Sequence, residues 1–136
     1  MKNYSILIAV LIFHLVVLSA CGAPHAGGPS GALATVPPDC VGRVNPLDQG
    51  ASAEGAAVFK TYCASCHGDG GQGDGAAGMY LDPRPANLVK LNAMVADDFL
   101  YWRITTGREG TSMPAWKGVL DDRQTWQVIA FIRTLK

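Results

Sequence analysis

The middle of this chain carries the stretch Cys63-Ala64-Ser65-Cys66-His67, which has the form CxxCH. On a helix, positions i, i+3 and i+4 lie on one face, so Cys63, Cys66 and His67 would present two thiols and an imidazole to the same side. Such a group is typical of three kinds of site: a redox-active thiol pair, part of a zinc site, or the attachment point of a c-type haem.

The surrounding sequence favours haem over the other two. A redox-active pair is expected within a thioredoxin-like βαβ pattern, and a structural zinc site needs further ligands at finger-like spacing; the sequence shows neither pattern. We therefore expect one haem c, bound covalently through thioether bonds to Cys63 and Cys66, with the imidazole of His67 as a ligand of the iron.

The second axial ligand decides what such a haem can do. His14 and His25 lie in N-terminal segments assigned below to a signal and a tether, so we do not expect two histidine ligands. Met113 is favoured because residues 110–112 (Gly-Thr-Ser) precede it and Pro114 follows it, in a loop that cannot easily continue as helix. The other candidates are Met79, Met94 and, more weakly, Lys90 and Lys117.

The first twenty residues have the features of an export signal. Lys2 supplies a positive start, and the apolar run over residues 6–18 is short for a membrane span. The run leads into Leu18-Ser19-Ala20-Cys21, which resembles the lipobox of bacterial lipoproteins. This resemblance implies that Cys21 becomes the first mature residue and carries lipid. The protein would then be held at the outer face of the cytoplasmic membrane or at an outer membrane, on the periplasmic side if the cell is Gram-negative. An ordinary secretory signal is the alternative.

Residues 21–50 are rich in glycine, alanine and proline and lack apolar periodicity, which predicts a flexible tether before a domain that begins at Ala51. Part of this segment, especially Val36 to Leu47, could instead pack on the domain. Cys40 is left over from the lipid and haem assignments, so it forms either an intermolecular bridge or a free thiol.

The charge balance limits the kinds of partner. Eleven basic and eleven acidic residues give a formal net charge of +0, which argues against nucleic acid and against strong steering of a charged partner. Residues 68–73 match the dinucleotide fingerprint GxGxxG, but that motif requires a preceding strand and this copy would follow a helix. We therefore expect neither a nucleic-acid nor a nucleotide partner.

The domain at residues 51–136 shows helical periodicity without strand alternation, which predicts an all-α fold with three main helices. The first helix begins near Ser52, a favourable cap, and leads into the CxxCH segment. The second runs from a cap at Asp97 to Gly107, a natural stop.

The third helix begins at Asp121 or Asp122, and Gln124 suits a loose capping box there. Its apolar positions follow the i, i+3, i+4, i+7 pattern of a buried helix face. They are Val128, Phe131, Ile132 and Leu135.

These features resemble class I cytochromes c in their order and spacing, from CASCHG through GDGGQGDG, PRPANL and TSMPAW to the terminal WQVIAFIRTL. The resemblance implies a small helical fold around one haem, with His67 and Met113 as the axial ligands. It implies that the carbonyl of Pro85, or of nearby Pro83, accepts a hydrogen bond from the His67 imidazole. It also implies that Leu88 packs on the haem.

Two further implications concern packing. The resemblance places Gly55 and Phe59 where the first helix crosses the last, near Val128 and Phe131, because a glycine allows close approach. It also brings Trp102 or Arg103 near a haem propionate.

The function implied is electron transfer and not enzymatic catalysis, because a histidine and methionine pair closes both axial positions. We expect a membrane-tethered monohaem carrier of single electrons between a redox protein donor and acceptor. One alternative is a fixed electron-transfer subunit of a respiratory or photosynthetic membrane complex. A haem sensor or peroxidase whose methionine dissociates is a further alternative.

Overall fold

The structure is a computed structural model and describes residues 33–48 and 50–136. Within that part of the chain the regular elements are helical, with a single isolated bridge between Lys117 and Leu120. This confirms the predicted all-α fold. None of the described helices is long and apolar enough to cross a membrane. The predicted signal, Cys21 and the rest of the predicted tether up to residue 32 lie outside the described residues.

The three predicted helices are present, together with shorter elements. A bend at Cys63 separates the first helix from a short continuation that carries Cys66 and His67. Leu88 begins a five-residue helix that was not expected, since so short an element shows little periodicity. The elements are α1 (Ala51–Tyr62), α2 (Ala64–His67), a 3₁₀ turn (Gly78–Tyr80), α3 (Leu88–Asn92), α4 (Asp97–Thr106) and α5 (Asp122–Ile132).

The predicted start of α5 is confirmed. The Asp121 carboxylate accepts a hydrogen bond from the backbone N–H of Gln124 at 2.7 Å, and the Gln124 side chain accepts one from the N–H of Asp121 at 3.0 Å. The predicted cap of α1 is wrong: the helix begins at Ala51 after Gly50, so Ser52 lies inside the first turn.

The predicted Asp97 cap is also wrong, because α4 begins at Asp97 and Ala96 occupies the cap position. The Asp97 carboxylate instead lies 2.8 Å from the guanidinium of Arg133, just past the end of α5. Arg133 also donates to the carbonyl oxygens of Asn92 at 2.8 Å and Val95 at 3.0 Å. This polar network joins the ends of α3, α4 and α5.

The core forms where α1 crosses α5. A Cβ added at Gly55 would lie 1.9 Å from the carbonyl oxygen of Gln127, so a glycine is required for this close approach. Phe59 is 2% exposed, and its ring centroid lies 5.1 Å from that of Phe131. The predicted crossing of Gly55 and Phe59 with the last helix is therefore confirmed.

Residues 35–48, here called the strap, pack on the helices. The backbone N–H of Asn45 donates to Asp97 at 3.1 Å, and its side-chain amide donates to the carbonyl of Trp126 at 2.9 Å. The compact unit begins at Thr35, and Val36 and Leu47 pack against the hydrophobic core. Cys40 lies buried in the strap as a free thiol.

Candidate haem site

The CxxCH segment lies at the end of α1. The N–H of Cys63 donates to the carbonyl of Phe59 at 2.8 Å, so the first thiol belongs to the last turn of α1. The N–H of His67 donates to the carbonyl of Cys63 at 2.9 Å across the bend, which keeps the two cysteines and the histidine within one turn of each other. The CxxCH segment therefore lies across the junction of α1 and the four-residue α2 and not on one straight helix.

Both cysteines of the segment are free thiols and half-buried. Burial, and then the neighbouring Cys66, raise the pKa of Cys63 to about 12, so this thiol is protonated at neutral pH. Neutral sulfur in a partly apolar position suits thioether bonds to a porphyrin. Among the described residues, no group of three or more His, Cys, Asp or Glu side chains is placed to hold a metal ion, which disfavours a structural zinc site. The donor set therefore fits a haem c.

The imidazole of His67 is oriented by the backbone. Its Nδ1 lies 3.0 Å from the carbonyl oxygen of Ala86, and since a carbonyl can only accept, Nδ1 carries the proton. Burial lowers the pKa of His67, while the hydrogen bond to Ala86 acts in the opposite direction. A neutral imidazole with Nε2 free is the form that ligates a metal.

The acceptor for His67 differs from the predicted one. The resemblance predicts the carbonyl of Pro85, or of nearby Pro83, but the hydrogen bond goes to Ala86. The carbonyl of Pro85 lies beside Gly73 instead. The predicted kind of contact is present, one residue farther along the chain.

A glycine-rich loop follows α2 and is hydrogen-bonded back to it. The N–H groups of Gly73, Gly75 and Ala77 donate to the carbonyls of His67, Cys66 and Ser65 at 2.7, 3.2 and 2.9 Å. A Cβ added at Gly75 would lie 2.4 Å from the carbonyl oxygen of Ser65. The loop therefore lies in close backbone contact with the segment that carries both thiols and the imidazole.

The Met113 loop folds back on the end of α4, where the N–H of Arg108 donates to the carbonyl of Met113 at 3.1 Å. Farther along, the ring of Trp116 meets that of Tyr62 edge to face, with centroids 5.5 Å apart. Tyr62 directly precedes Cys63, and three residues span at most about 10 Å. The loop with Met113 and the segment with His67 therefore lie in the same part of the molecule.

The candidate ligands for the second axial position differ in their solvent exposure. Met79 and Met94 are 48% and 66% exposed, and Lys90 and Lys117 are exposed as well, whereas Met113 is half-buried. Among these five candidate ligands, Met113 is therefore the least exposed.

The remaining predicted neighbours of the haem lie in or beside the core. Leu88 is buried at the start of α3, and its N–H donates to the carbonyl of Gly71 at 2.6 Å. The guanidinium of Arg103 lies 4.1 Å above the ring of Trp102 and donates to the carbonyl of Gly107 at 2.9 Å. Burial lowers the pKa of Arg103, and the nearby positive charge of Arg108 adds to the effect.

Two contributors were not expected from the sequence. The carbonyl of Ala86 carries no side-chain signal, because any residue offers the same backbone oxygen. The pairing of Tyr62 with Trp116 had a weak signal, namely an aromatic residue directly before CxxCH and another three positions after the candidate ligand.

Comparison with known proteins gives a family match over most of this site. Residues 50–132 match the family described as cytochrome C oxidase, cbb3-type, subunit III. The cbb3-type cytochrome c oxidase subunit CcoP of Azospirillum brasilense is 37% identical over 90 residues, and subunit FixP of Bradyrhizobium diazoefficiens is 33% identical over 85. These matches cover 65% and 62% of this chain. The chain spans 30% and 27% of the length of these relatives.

A solved structure shows the same fold. A chain of the Kuenenia stuttgartiensis reducing HAO-like protein complex Kustc0457/Kustc0458 superimposes with a TM-score of 0.58 at 26% sequence identity. The match covers 66% of this chain and 46% of that one.

Proposed function

Because the chain belongs to the cytochrome c oxidase cbb3-type subunit III family, we propose that it is an electron-transfer subunit of a membrane redox complex. Its domain is a monohaem cytochrome c domain that binds haem c covalently and acts in electron transfer. When bound, the haem supplies one-electron chemistry, cycling between ferrous and ferric iron. The chain's own residues hold the haem, orient its ligands and limit access to the iron.

We propose that Cys63 and Cys66 carry the haem and that His67 and Met113 are the axial ligands. The observation that carries this assignment is the hydrogen bond from Nδ1 of His67 to the Ala86 carbonyl, which leaves Nε2 free for a metal. A thioether opposite an imidazole raises the reduction potential and leaves no open position, which favours electron transfer over binding of small molecules.

The ligand assignment is tested with Met113→Ala in the haem-loaded protein. The substitution should lower the reduction potential and allow the ferrous protein to bind carbon monoxide, because it removes the sulfur ligand. Met79→Ala is the matched control, since Met79 is 48% exposed. Rapid carbon monoxide binding by the unsubstituted ferrous protein would contradict a closed site.

The proposal of a fixed subunit draws on the relatives, which are named as subunits of cbb3-type oxidases. Purification of a tagged chain in mild detergent should recover a larger membrane complex with a stoichiometric share of this haem. Recovery of the cytochrome alone from membranes that retain an intact oxidase would favour the second candidate.

That second candidate is a lipid-tethered carrier that moves between partners. The sequence Leu18-Ser19-Ala20-Cys21, followed by a glycine- and proline-rich segment, supports it. Cys21→Ser should release the exported protein from the membrane fraction if lipid on Cys21 is the anchor. A variant that stays with the membranes while wild type lacks lipid label would contradict the anchor and leave the fixed subunit as the better account.

A further inference from the structure

We propose that Tyr62 and Trp116 form an aromatic clasp that holds the Met113 loop against the CxxCH segment and thereby keeps the methionine on the iron. This inference rests on the proposed role of Met113. Its direct basis is the ring contact between them, with centroids 5.5 Å apart and planes inclined at 66°. Edge-to-face pairs of this kind are attractive beyond the apolar area that they bury.

The Tyr62 half of the clasp stands on a rigid element. Tyr62 is the last residue of α1, which is packed on α5 through Gly55 and Phe59. Cys63 follows directly in the chain, so Tyr62 is one residue away from the first proposed thioether position. The position of Tyr62 in the clasp is therefore fixed by the packing of α1.

Trp116 lies on a loop whose backbone is fixed by hydrogen bonds. The N–H of Trp116 donates to the carbonyl of Ile104 at 3.0 Å, and its own carbonyl accepts from the N–H of Leu120 at 2.9 Å. These bonds fix the backbone at Trp116 to α4 and to the following turn. The half-buried ring extends from this point to Tyr62.

The stretch that includes Met113 is held mainly to itself and to the end of α4. The N–H of Met113 lies 3.2 Å from the hydroxyl of Thr111, and its carbonyl accepts from Arg108. These bonds shape the loop but do not connect it to α1 or α2. The ring pair supplies that connection, so it opposes movement of the sulfur away from His67.

Loss of the ring pair should therefore increase the fraction of molecules in which the methionine has left the iron. A small ligand competes for the vacated position in proportion to that fraction. Given the usual strength of aromatic pairs, Trp116→Ala should speed carbon monoxide binding to the ferrous protein about two- to tenfold. The weak long-wavelength band of ferric methionine ligation should fall in the same variant.

The experiment uses the purified, haem-loaded chain with Trp116→Ala, Tyr62→Ala, the double variant and Trp116→Phe. The single alanine variants should show similar increases, and the double variant should show little more, because either change removes the same contact. Trp116→Phe should restore a rate close to that of wild type, since it keeps a ring at the same position.

A second aromatic pair provides the matched control. Tyr101 and Trp126 stack with centroids 4.6 Å apart, and neither belongs to the Met113 loop or to α1. Trp126→Ala should lower the free energy of unfolding and leave the carbon monoxide rate and the long-wavelength band unchanged. A comparable gain in rate for Trp126→Ala would show a general loosening and overturn the clasp.

Two other outcomes are decisive and distinguishable. If wild type has an intact long-wavelength band and all the clasp variants bind carbon monoxide at the wild-type rate, the clasp is overturned and the Met113 assignment stands. Wild type that lacks this band and binds carbon monoxide at once would overturn the assignment of Met113, and the clasp with it.

Discussion

The α1–α5 crossing and the loops around His67 are held by different kinds of contact. At the crossing, Phe59, Val128 and Ile129 are almost completely buried. Around His67, the glycine-rich loop is held by backbone hydrogen bonds, while the thiols and the imidazole remain half-buried. The crossing therefore carries much of the stability of the polypeptide, and the loops are arranged around a group that the polypeptide does not supply. In so small a domain, a large cofactor completes the core.

The largest expected effect tests the packed side of this comparison. Phe59→Ala should lower the free energy of unfolding by about 3–5 kcal/mol, because it removes a ring that is 2% exposed. Tyr80→Ala, at a position 87% exposed near the haem site, should change it by less than about 0.5 kcal/mol. Chemical denaturation of the haem-loaded variants measures both. Equal losses of unfolding free energy in the two variants would contradict the view that the α1–α5 crossing carries much of the stability.

The next effect comes from two glycines that each contact backbone. Gly55→Ala would place a Cβ 1.9 Å from the Gln127 carbonyl oxygen and should destabilise the protein by about 2–3 kcal/mol, with the haem spectrum unchanged. Gly75→Ala would place one 2.4 Å from the carbonyl oxygen of Ser65, next to Cys66. It should cost about 1–2 kcal/mol and reduce the fraction of chains that carry covalent haem. The haem content per polypeptide, measured by absorbance, distinguishes the two variants. An unchanged haem content in Gly75→Ala would show that close contact between the loop and the CxxCH segment is not needed for haem attachment.

Helix positions could be predicted because they depend on neighbours in the sequence. The capping box joins Asp121 to Gln124, three positions apart, and the apolar face of α5 repeats within three turns. The strap could not be found in this way. Its contact from Asn45 to Trp126 joins residues 81 positions apart, and composition alone resembled a linker.

The site itself was predictable where chemistry depends on residue type. Two thiols and an imidazole at fixed spacing predicted haem, and the family match agrees. The choice between Pro85 and Ala86 was not predictable, because neighbouring carbonyls are chemically equivalent and the path of the loop decides which one meets His67.

A smaller effect is expected in the strap. It tests whether this segment stabilises the fold as the α1–α5 crossing does. Asn45→Ala should cost about 1–2 kcal/mol, since it leaves the Trp126 carbonyl without its 2.9 Å hydrogen bond from the side-chain amide. Val44→Ala is the control, because Val44 is 75% exposed and should have almost no effect. Indistinguishable unfolding curves for the two variants would show that the strap does not stabilise the fold through this hydrogen bond.

The smallest effect is a pH dependence remote from the haem. The hydroxyl of Tyr101 donates to Asp122 at 2.6 Å, and this hydrogen bond, with burial second, raises the pKa of Tyr101 above its usual 10.0. The bond therefore contributes fully below pH 10 and is lost as the pH rises through the raised value. Tyr101→Phe should be less stable by about 0.5–1.5 kcal/mol at neutral pH. The difference should shrink above pH 10; a constant difference across that range would contradict the role of the phenol.

The strap also decides where this domain can be cut or joined to another. The family match begins at residue 50, but the compact unit begins at Thr35. A module transplanted at the family boundary would leave the carboxylates of Asp97 and Asp98 without their backbone donors from Asn45 and Gly42. It would also remove the only segment in the described residues that donates to the Trp126 carbonyl from outside the helices. The portable unit is therefore longer than its haem-binding part, and a fusion junction belongs ahead of Thr35.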